Sequence, residues 1–258
     1  MKLSFSKYQG TGNDFVMVDN RDGNYFLSQD QIERLCNRKF GIGADGFIVL
    51  ENDLVADFQM TYYNADGIVG SMCGNGGRCV VAFARQLNII KDHCDFVAYD
   101  GLHKAKCLEA GLVSLEMIDV HAVEKLNNAW KLDTGSPHLV FFKDDIKEIN
   151  VKEVGSAIRN SIDFVEKGIN VNFVECKEDY LFLRTYERGV EDETLACGTG
   201  ATATAIAAFE AGLVKTETIK VNVLGGELEV SFSKQENRYT DIYLNGAAKF
   251  VFNGQVDV

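Results

Sequence analysis

Short runs of β-branched and aromatic residues recur along the chain and predict a strand-rich fold. The runs are separated by glycine and by Asn or Asp, and many stand close enough in sequence to form hairpins. The predicted strands cover residues 15–18, 47–50, 58–63, 112–117, 139–142, 171–174, 180–186, 219–223, 227–232 and 239–244.

Helical periodicity is confined to four segments, at residues 29–38, 76–87, 151–162 and 200–211. The first of these follows Ser28, and Gln31 three residues later completes a capping-box signature. Many strands with few helices favour an α+β fold over a regular alternation of strand and helix.

The chain also looks doubled. A strand ending at Asn64 is followed nine residues later by Cys73-Gly-Asn-Gly and a helix, and a strand ending at Glu187 is followed ten residues later by Cys197-Gly-Thr-Gly and a helix. Such a repeat predicts two similar lobes, each with one cysteine. We place the N-terminal lobe at 1–120 and the C-terminal lobe at 121–246, with a polar boundary at 119–128.

Charge and composition restrict the partners of the protein. A net charge of -12 over 258 residues disfavours nucleic acid and anionic membranes, so we expect a small-molecule substrate. No apolar run reaches the roughly 18–20 residues of a membrane span, and the N-terminus lacks a signal-peptide pattern. Seven cysteines without a CxxC pair indicate a reduced, cytoplasmic protein without a zinc site. We expect five of them to be buried core residues: Cys36, Cys79, Cys94, Cys107 and Cys176.

Cys73 and Cys197 differ from the other cysteines because each opens a helix. A helix N-terminus carries partial positive charge and unpaired N–H groups, which favour a thiolate. The glycines after each cysteine, at 74, 76, 198 and 200, let the backbone approach a ligand, and the helix N-termini can bind a carboxylate.

Inversion of a stereocentre requires a base on one face of the carbon and an acid on the other. A thiolate and a thiol from two lobes form such a pair, with Cys73 and Cys197 as the catalytic residues. The chemistry requires no pyridoxal phosphate, so we expect a cofactor-independent amino-acid epimerase with no metal.

Seven longer motifs extend along the chain: FSKYQGTGNDFVMVD, RKFGIGADG, YYNADG, MCGNGGRC, TGSPH, GINVNFVE and RTYERGVEDETLACGTGA. Together they resemble the diaminopimelate epimerase family, within the pyridoxal-phosphate-independent racemase superfamily. The resemblance covers nearly the whole chain, and the pair of cysteine motifs is its most specific part.

The resemblance implies two lobes, each a β-barrel-like sheet around a central helix, with the active site in the cleft between them. It implies that a C-terminal strand at about 247–258 returns to the first lobe and that the protein is a homodimer. The implied reaction interconverts L,L- and meso-diaminopimelate, in the pathway to lysine and cell-wall precursors.

The resemblance also assigns residues. It implies that the reacting carboxylate is bound at Gly74, Asn75, Gly198 and Thr199, and it places His138 near the cysteines. The remaining substrate-binding positions it implies are Asn13, Asn64, Asn170, Glu187 and Arg188. Arg188 can pair with the second carboxylate of the substrate, and Glu187 can meet an ammonium group.

Structural alternatives stand beside these roles. Asn13 and Asn64 are also typical turn residues, and a lone histidine such as His138 is also typical of a packed core. Arg188 could instead form a surface ion pair with Glu191 or Asp192. The chain departs from the family at Ser136, where Asn is usual, at Gly46, where some members have Gln, and in 190–193, which looks one residue longer. These departures concern substrate preference.

Three other functions fit the sequence less well. The Gly41-x-Gly43-x-x-Gly46 string matches a dinucleotide-binding fingerprint, but it neither follows a strand nor opens a helix. A proline or hydroxyproline racemase would act on a substrate with one amino-acid head and would not need Arg188 with several asparagines. A non-catalytic amino-acid-binding protein would not require two cysteines in matched positions.

Overall fold

The computed structural model describes residues 2–70, 72–236 and 238–258. The chain divides into two compact units, one comprising residues 1–115 with 246–258 and the other residues 116–245. None of the helices in the described ranges has both the length and the apolar character needed to cross a membrane.

The described residues form four α-helices and seventeen strands. The helices are α1 (Gln29–Cys36), α2 (Gly74–Gln86), α3 (Val151–Arg159) and α4 (Gly198–Glu210). The strands are β1 (Lys2–Gly10), β2 (Asn13–Asp19), β3 (Gly46–Glu51), β4 (Phe58–Asn64), β5 (His93–Ala98), β6 (Gly101–Cys107), β7 (Leu112–Glu116), β8 (Val123–Lys125), β9 (Trp130–Asp133), β10 (Pro137–Phe142), β11 (Asn170–Cys176), β12 (Leu181–Glu187), β13 (Asp192–Thr194), β14 (Thr218–Val223), β15 (Gly226–Gln235), β16 (Arg238–Ala247) and β17 (Lys249–Asp257).

The four predicted helices are present, with shifted ends. The capping box of α1 forms as predicted, because Ser28 accepts from the N–H of Gln31 and the Gln31 side chain accepts from the N–H of Ser28. α2 and α4 each begin two residues earlier than predicted, directly after the cysteine. α3 ends at Arg159, three residues before the predicted end, because the chain turns at Asn160 and Ser161.

In the first unit, antiparallel and parallel strand pairs alternate. β1–β2 is antiparallel, β2–β3 parallel, β3–β4 antiparallel, β4–β5 parallel and β5–β6 antiparallel. β7 and β17 extend the sheet at its two ends by pairing with β6 and β1. α2 connects β4 to β5 and contacts β1, β2, β3, β6 and β17. These strands include β17 at one end of the order and β6 next to the other end, so the sheet curves around α2.

The second unit repeats the same order of pairings. β9–β10 is antiparallel, β10–β11 parallel, β11–β12 antiparallel, β12–β14 parallel and β14–β15 antiparallel. α4 lies between β12 and β14 in the chain and contacts β9, β10, β11, β12, β14 and β15. The predicted α+β fold, with a sheet wrapped around a central helix twice over, is therefore confirmed.

Each sheet is covered on both faces. In β2, Phe15 faces Gly76 of α2, whereas the next residue, Val16, packs with Ile32 of α1. In β11, Asn172 faces Gly200 of α4, and its neighbours pack in a cluster with α3. Burial on both faces explains why the strands are read as continuous apolar runs.

The prediction that five cysteines belong to the core is correct for three of them. Cys36, Cys79 and Cys94 are buried, and burial raises their thiol pKa values to about 11, about 12 and about 12. Cys107 is half-buried and Cys176 is exposed, so the prediction is wrong for Cys176. Cys176 is the last residue of β11, where the burial of the strand ends.

Candidate active site

α2 begins directly after Cys73, which is its N-cap residue. Cys73 is half-buried and its side chain makes no capping hydrogen bond, and the first turn at Gly74, Asn75 and Gly76 contains no acidic residue. The positive end of the helix is therefore not neutralised by the helix itself. An anion at this point, whether thiolate or carboxylate, is stabilised by the first-turn N–H groups and the macrodipole.

A chain of amide hydrogen bonds connects Asn75 to Asn13. Asn75 Nδ2 donates to Asn13 Oδ1 at 2.7 Å, and Asn13 Nδ2 donates to Asp45 Oδ2 at 2.9 Å. Arg78 Nη2 donates to Asn75 Oδ1 at 3.0 Å. The hairpin turn itself is made by residues 11–12, which both have positive φ. The Asn13 side chain therefore belongs to this polar chain and does not shape the turn.

Asn64 lies at the end of β4 and has both a turn role and an exposed side chain. Its N–H donates to Ile68 O at 2.9 Å, and its carbonyl accepts from the N–H of Gly67 at 2.9 Å. The backbone thus closes the turn, as the structural alternative predicted. The side-chain Nδ2 makes only a long contact of 3.5 Å with Ile68 O, so the exposed amide can also meet a ligand.

The Tyr62 ring lies over two glycines in the first unit. A Cβ at Gly46 would lie 2.5 Å from Tyr62 Cε2, and a Cβ at Gly70 would lie 3.0 Å from Cδ1 of the same ring. The Phe15 ring meets Tyr62 edge-on at 6.2 Å. At Gly46, where some similar proteins have Gln, this chain therefore has an aromatic wall next to Asn64. Tyr62 was not among the predicted site residues, because two glycines far apart in sequence do not show which ring they accommodate.

Cys197 occupies the matching position in the second unit, as the N-cap residue of α4. It is 6% exposed, and its Sγ lies 3.4 Å from Thr199 Oγ1. This helix also lacks a side-chain cap and an acidic residue in its first turn. The buried Thr134 side chain donates to the carbonyl of Thr199 at 2.9 Å. This hydrogen bond from the 134–138 motif stabilises the first turn of α4, next to the Cys197 thiol.

His138 is fully buried and is oriented by Asn172, which sequence reasoning missed. Asn172 Nδ2 donates to His138 Nδ1 at 3.0 Å and to Leu139 O at 3.0 Å, while its Oδ1 accepts from Thr185 Oγ1 at 2.9 Å. Since Nδ1 accepts, the ring proton is on Nε2, which has no hydrogen-bond acceptor among the described residues. The spacing of Asn170 and Asn172 in one strand was the signal, because residues two apart share a face.

The neutrality of His138 gives a testable pH dependence. Burial, aided by the charge of Arg188 and opposed by the hydrogen bond from Asn172, lowers the pKa of His138 to about 3. The ordinary histidine pKa of about 6.5 applies to the unfolded chain, which therefore binds a proton between these values while the folded protein does not. Stability should fall as pH drops below about 6.5, by roughly 2 kcal/mol between pH 7.5 and 5.

Urea unfolding at the two pH values measures this loss. The His138→Gln variant should lose less stability than the wild type over the same interval, whereas replacement of the exposed His121 by Gln should leave the loss unchanged. Equal pH dependence in the wild type and His138→Gln would contradict a buried neutral imidazole.

Two predicted site residues of the second unit, Asn170 and Arg188, form one cluster with Ser136. Asn170 Nδ2 donates to Ser136 Oγ at 2.8 Å, and Asn170 Oδ1 accepts from the Arg188 N–H at 2.8 Å. Arg188 Nη2 reaches Ser136 Oγ at 3.2 Å, and its Nη1 donates to Lys167 O at 2.9 Å. Gly168 makes room for this arm, because a Cβ there would lie 2.6 Å from Arg188 Cδ.

Arg188 does not form the ion pairs considered as its structural alternative. Glu191 pairs with Arg159 at 3.3 Å, and Asp192 pairs with Lys152 at 2.5 Å. Within the described ranges no carboxylate lies at ion-pair distance from the exposed Arg188 guanidinium, so the alternative is wrong. The guanidinium is held by neutral oxygens and keeps its charge for a ligand.

Glu187 ends β12 and is linked to the second cysteine. Burial raises the pKa of its carboxyl, against the lowering effect of the Thr194 and Cys197 side chains. The carboxyl therefore interacts with the Cys197 thiol within the same unit. The described part of the chain holds no cluster of three or more His, Cys, Asp or Glu side chains that could bind a metal ion.

The fold is shared with two solved proteins of low sequence identity. A phenazine biosynthesis protein of the PhzF family from Bacillus anthracis aligns with a TM-score of 0.77 at 14% identity and covers 100% of both chains. A probable proline racemase from Agrobacterium radiobacter aligns with a TM-score of 0.72 at 14% identity, over 99% of this chain and 93% of that one. The chain thus has the PhzF and proline racemase fold.

Sequence similarity narrows this class. The model of the diaminopimelate epimerase family matches residues 5–122 and 131–251. The diaminopimelate epimerase of Flavobacterium psychrophilum is 53% identical over 97% of this chain and 98% of its own, and that of Chlorobaculum tepidum is 41% identical over 96% and 98%. The chain belongs to the diaminopimelate epimerase family and is an isomerase of the epimerase type.

Proposed function

We propose that the protein interconverts L,L- and meso-diaminopimelate by a two-base mechanism, with Cys73 and Cys197 as the catalytic pair. The observation that carries the proposal is the repeated arrangement in which each unit presents a cysteine as the N-cap of a buried helix without a side-chain cap. The family membership supplies the substrate. The reaction serves the formation of lysine and cell-wall precursors.

In the proposed step, one cysteine thiolate removes the α-proton, and the C–H electron pair remains on the carbon next to the carboxylate. The first-turn N–H groups at Gly74, Asn75, Gly198 and Thr199 bind that carboxylate and stabilise the charge that develops on it. The second cysteine, as a thiol, donates its proton to the opposite face. The two sulfurs have then exchanged protonation states, so the next turnover of the other isomer restores them.

The second amino-acid head of the substrate distinguishes this function from a proline racemase. We assign the distal carboxylate to Arg188, whose guanidinium is charged, exposed and free of a carboxylate partner within the described chain. Asn170 fixes the Arg188 backbone, and Ser136 stands where the family usually has Asn. The exposed Asn64 and the Asn13 amide supply orienting hydrogen bonds, and Glu187 can meet an ammonium group.

The test is turnover of L,L-diaminopimelate by the purified protein in deuterated water. We expect meso product that carries deuterium at the inverted carbon, with no added cofactor. L-Proline, run in parallel, should not be inverted. Inversion of proline without inversion of diaminopimelate would overturn the substrate assignment, and inversion without solvent deuterium would overturn the proton-transfer mechanism.

Gly200→Ala should lower kcat although alanine is the better helix former by about 1 kcal/mol. A methyl at this position would lie 2.7 Å from Asn172 Oδ1 and 3.3 Å from Cys197 Sγ, so the thiol or its support must move. A displacement of this kind should reduce kcat by about tenfold or more. Steady-state kinetics and a melting curve check this, and a stable variant with unchanged kcat would show that the contact is not critical.

We further propose that the protein acts as a homodimer in the cytoplasm, where its cysteines remain reduced. Support for self-association comes from β17, where Phe250, Val251 and Phe252 are each between 44% and 52% exposed. Light scattering should give twice the chain mass of 28.6 kDa. A monomeric mass at working concentration would contradict the dimer.

A further inference from the structure

Arg78 is among the largest fully buried side chains of the described residues, and it lies on α2, five residues after Cys73. Nη1 donates to Gly74 O at 3.3 Å, and Nη2 donates to Thr11 Oγ1 at 2.7 Å and to Asn75 Oδ1 at 3.0 Å. Nε has no acceptor among the described residues. All of these acceptors are neutral oxygens.

A guanidinium retains its proton in proteins, so Arg78 is a buried cation. Isolation of such a charge from water is costly unless an anion compensates it. In the described part of the chain Arg78 forms no ion pair with a carboxylate, and the closest one in its hydrogen-bond chain, Asp45, is reached only through Asn75 and Asn13. Burial lowers the pKa of the Arg78 guanidinium, and the ionisable groups that act against this lowering are two thiols, Cys79 and Cys73.

The two thiols differ in their ability to ionise. Cys79 is fully buried, and burial raises its pKa to about 12, so it stays neutral. Cys73 is half-buried at the start of α2, where first-turn N–H groups also favour an anion. The hydrogen bond from Arg78 to Gly74 O brings the guanidinium to the residue next to Cys73.

We propose that Arg78 is the buried counter-ion of the Cys73 thiolate and stabilises the ionised form that acts as a base. The inference rests on the proposed catalytic role of Cys73. Arg78 is a positioning residue, because it acts through Cys73 and makes no contact with substrate in the proposal. The matching position of the second unit holds no cation: Thr202 stands five residues after Cys197 and donates to Gly198 O at 3.1 Å, in place of the guanidinium.

Other charged groups near this end of α2 have partners of their own. Asp100, before β6, accepts from the Met72 N–H and pairs with His103 at 3.1 Å. Tyr8 of β1 interacts with Cys79, and burial raises its pKa. Lys7 of β1 pairs with Asp14 of β2 at 2.8 Å. Among the described charged groups named here, Arg78 is therefore the cation that has no carboxylate partner.

The test titrates the Cys73 thiol by thiolate absorbance at 240 nm, without substrate. The parent is Cys197→Ala, and subtraction of the Cys73→Ala/Cys197→Ala titration isolates Cys73. Adding Arg78→Met should move the midpoint up by about one pH unit or more, and Arg78→Lys should largely restore it. The control is Arg85→Met, which removes an exposed arginine from the same helix and should leave the midpoint unchanged. An unchanged midpoint in Arg78→Met would overturn the proposal.

Activity supplies a second readout that a purely structural role would not change. In the otherwise wild-type protein, Arg78→Met should lose at least about tenfold in kcat/KM at pH 7 and recover much of it at pH 9, where Cys73 ionises without help. A loss that is the same at both pH values would overturn the proposal. The absorbance titration is independent of turnover, so a wrong substrate assignment would leave its outcome intact.

A variant that keeps Arg78 covers the case in which Arg78→Met does not fold. Cys73→Asp places a permanent anion at the N-cap, and Cys73→Asn is its neutral match with similar capping ability. If Arg78 needs an anion there, Cys73→Asp should melt at a higher temperature than Cys73→Asn. Because salt screens buried charges less than exposed ones, 1 M salt should reduce this difference in melting temperature less than it would for an exposed ion pair. Equal melting temperatures, or a lower one for Cys73→Asp, would overturn the proposal.

Discussion

Cys73→Ala should abolish epimerisation, with a loss of at least about 1,000-fold in kcat/KM, and Cys197→Ala should do the same. Inversion needs an acid and a base on opposite faces of the α-carbon, so removal of either thiol leaves one face without a group that can transfer a proton. The remaining thiol is still a base at the N-terminus of its own helix. In deuterated water, each variant should therefore remove the α-proton of one isomer and add a deuteron back to the same face, without inversion.

The measurement combines chiral chromatography, which detects inversion, with mass spectrometry, which detects deuterium. We expect Cys73→Ala and Cys197→Ala to label opposite isomers. The control is Cys176→Ala, which removes an exposed thiol at the end of β11 and should retain full activity. Full turnover by either catalytic variant, or labelling of both isomers by one of them, would refute the two-base assignment.

Arg188→Met should lower kcat/KM for diaminopimelate by about 100-fold, mainly through KM. The guanidinium is proposed to bind the distal carboxylate, which lies far from the reacting carbon, and hydrogen bonds to a charged group are among the stronger ones. A planar fork suits a carboxylate better than an ammonium, so Arg188→Lys should recover only part of the loss. Steady-state kinetics with L,L- and meso-diaminopimelate measure both effects.

A comparison of two substrates tests whether Arg188 recognises the distal carboxylate itself. L-Lysine lacks the distal carboxylate, so we expect the rate of its α-proton exchange to be nearly the same in Arg188→Met and in the wild type. Arg238→Met removes an equal charge at the start of β16 and should leave KM unchanged. If Arg188→Met weakened lysine and diaminopimelate equally, the arginine would be supporting the fold of the loop and not recognising the second carboxylate.

Much of the fold was predictable because local chemistry determines it. The Ser28 capping box fixes the start of α1. The doubled cysteine motif predicts two similar lobes, and the two units repeat one order of strand pairings. Strands β5 and β6 were missed because their apolar residues alternate with polar ones instead of forming a run. Such alternation is typical of a half-buried strand, whereas the strand prediction relied on continuous runs of β-branched and aromatic residues.

The polar interior was far less predictable. Arg78 follows two glycines in a helix, and nothing local distinguishes a buried arginine there from an exposed one. Its position depends on Thr11 and Asn75, one of which is 67 residues away. Asn172 likewise depends on Thr185 and His138 from neighbouring strands. Sequence motifs identify groups that carry chemistry, whereas their supporting contacts are set by the tertiary fold.

The repeated order of pairings has an evolutionary consequence. Two copies of one unit, if encoded separately, would be identical and would give both cysteines the same surroundings. Once both copies are joined in a single gene, each can mutate alone. The position five residues after the cysteine is arginine in one unit and threonine in the other. A repeat within a single gene thus allows two matched thiols to have different surroundings.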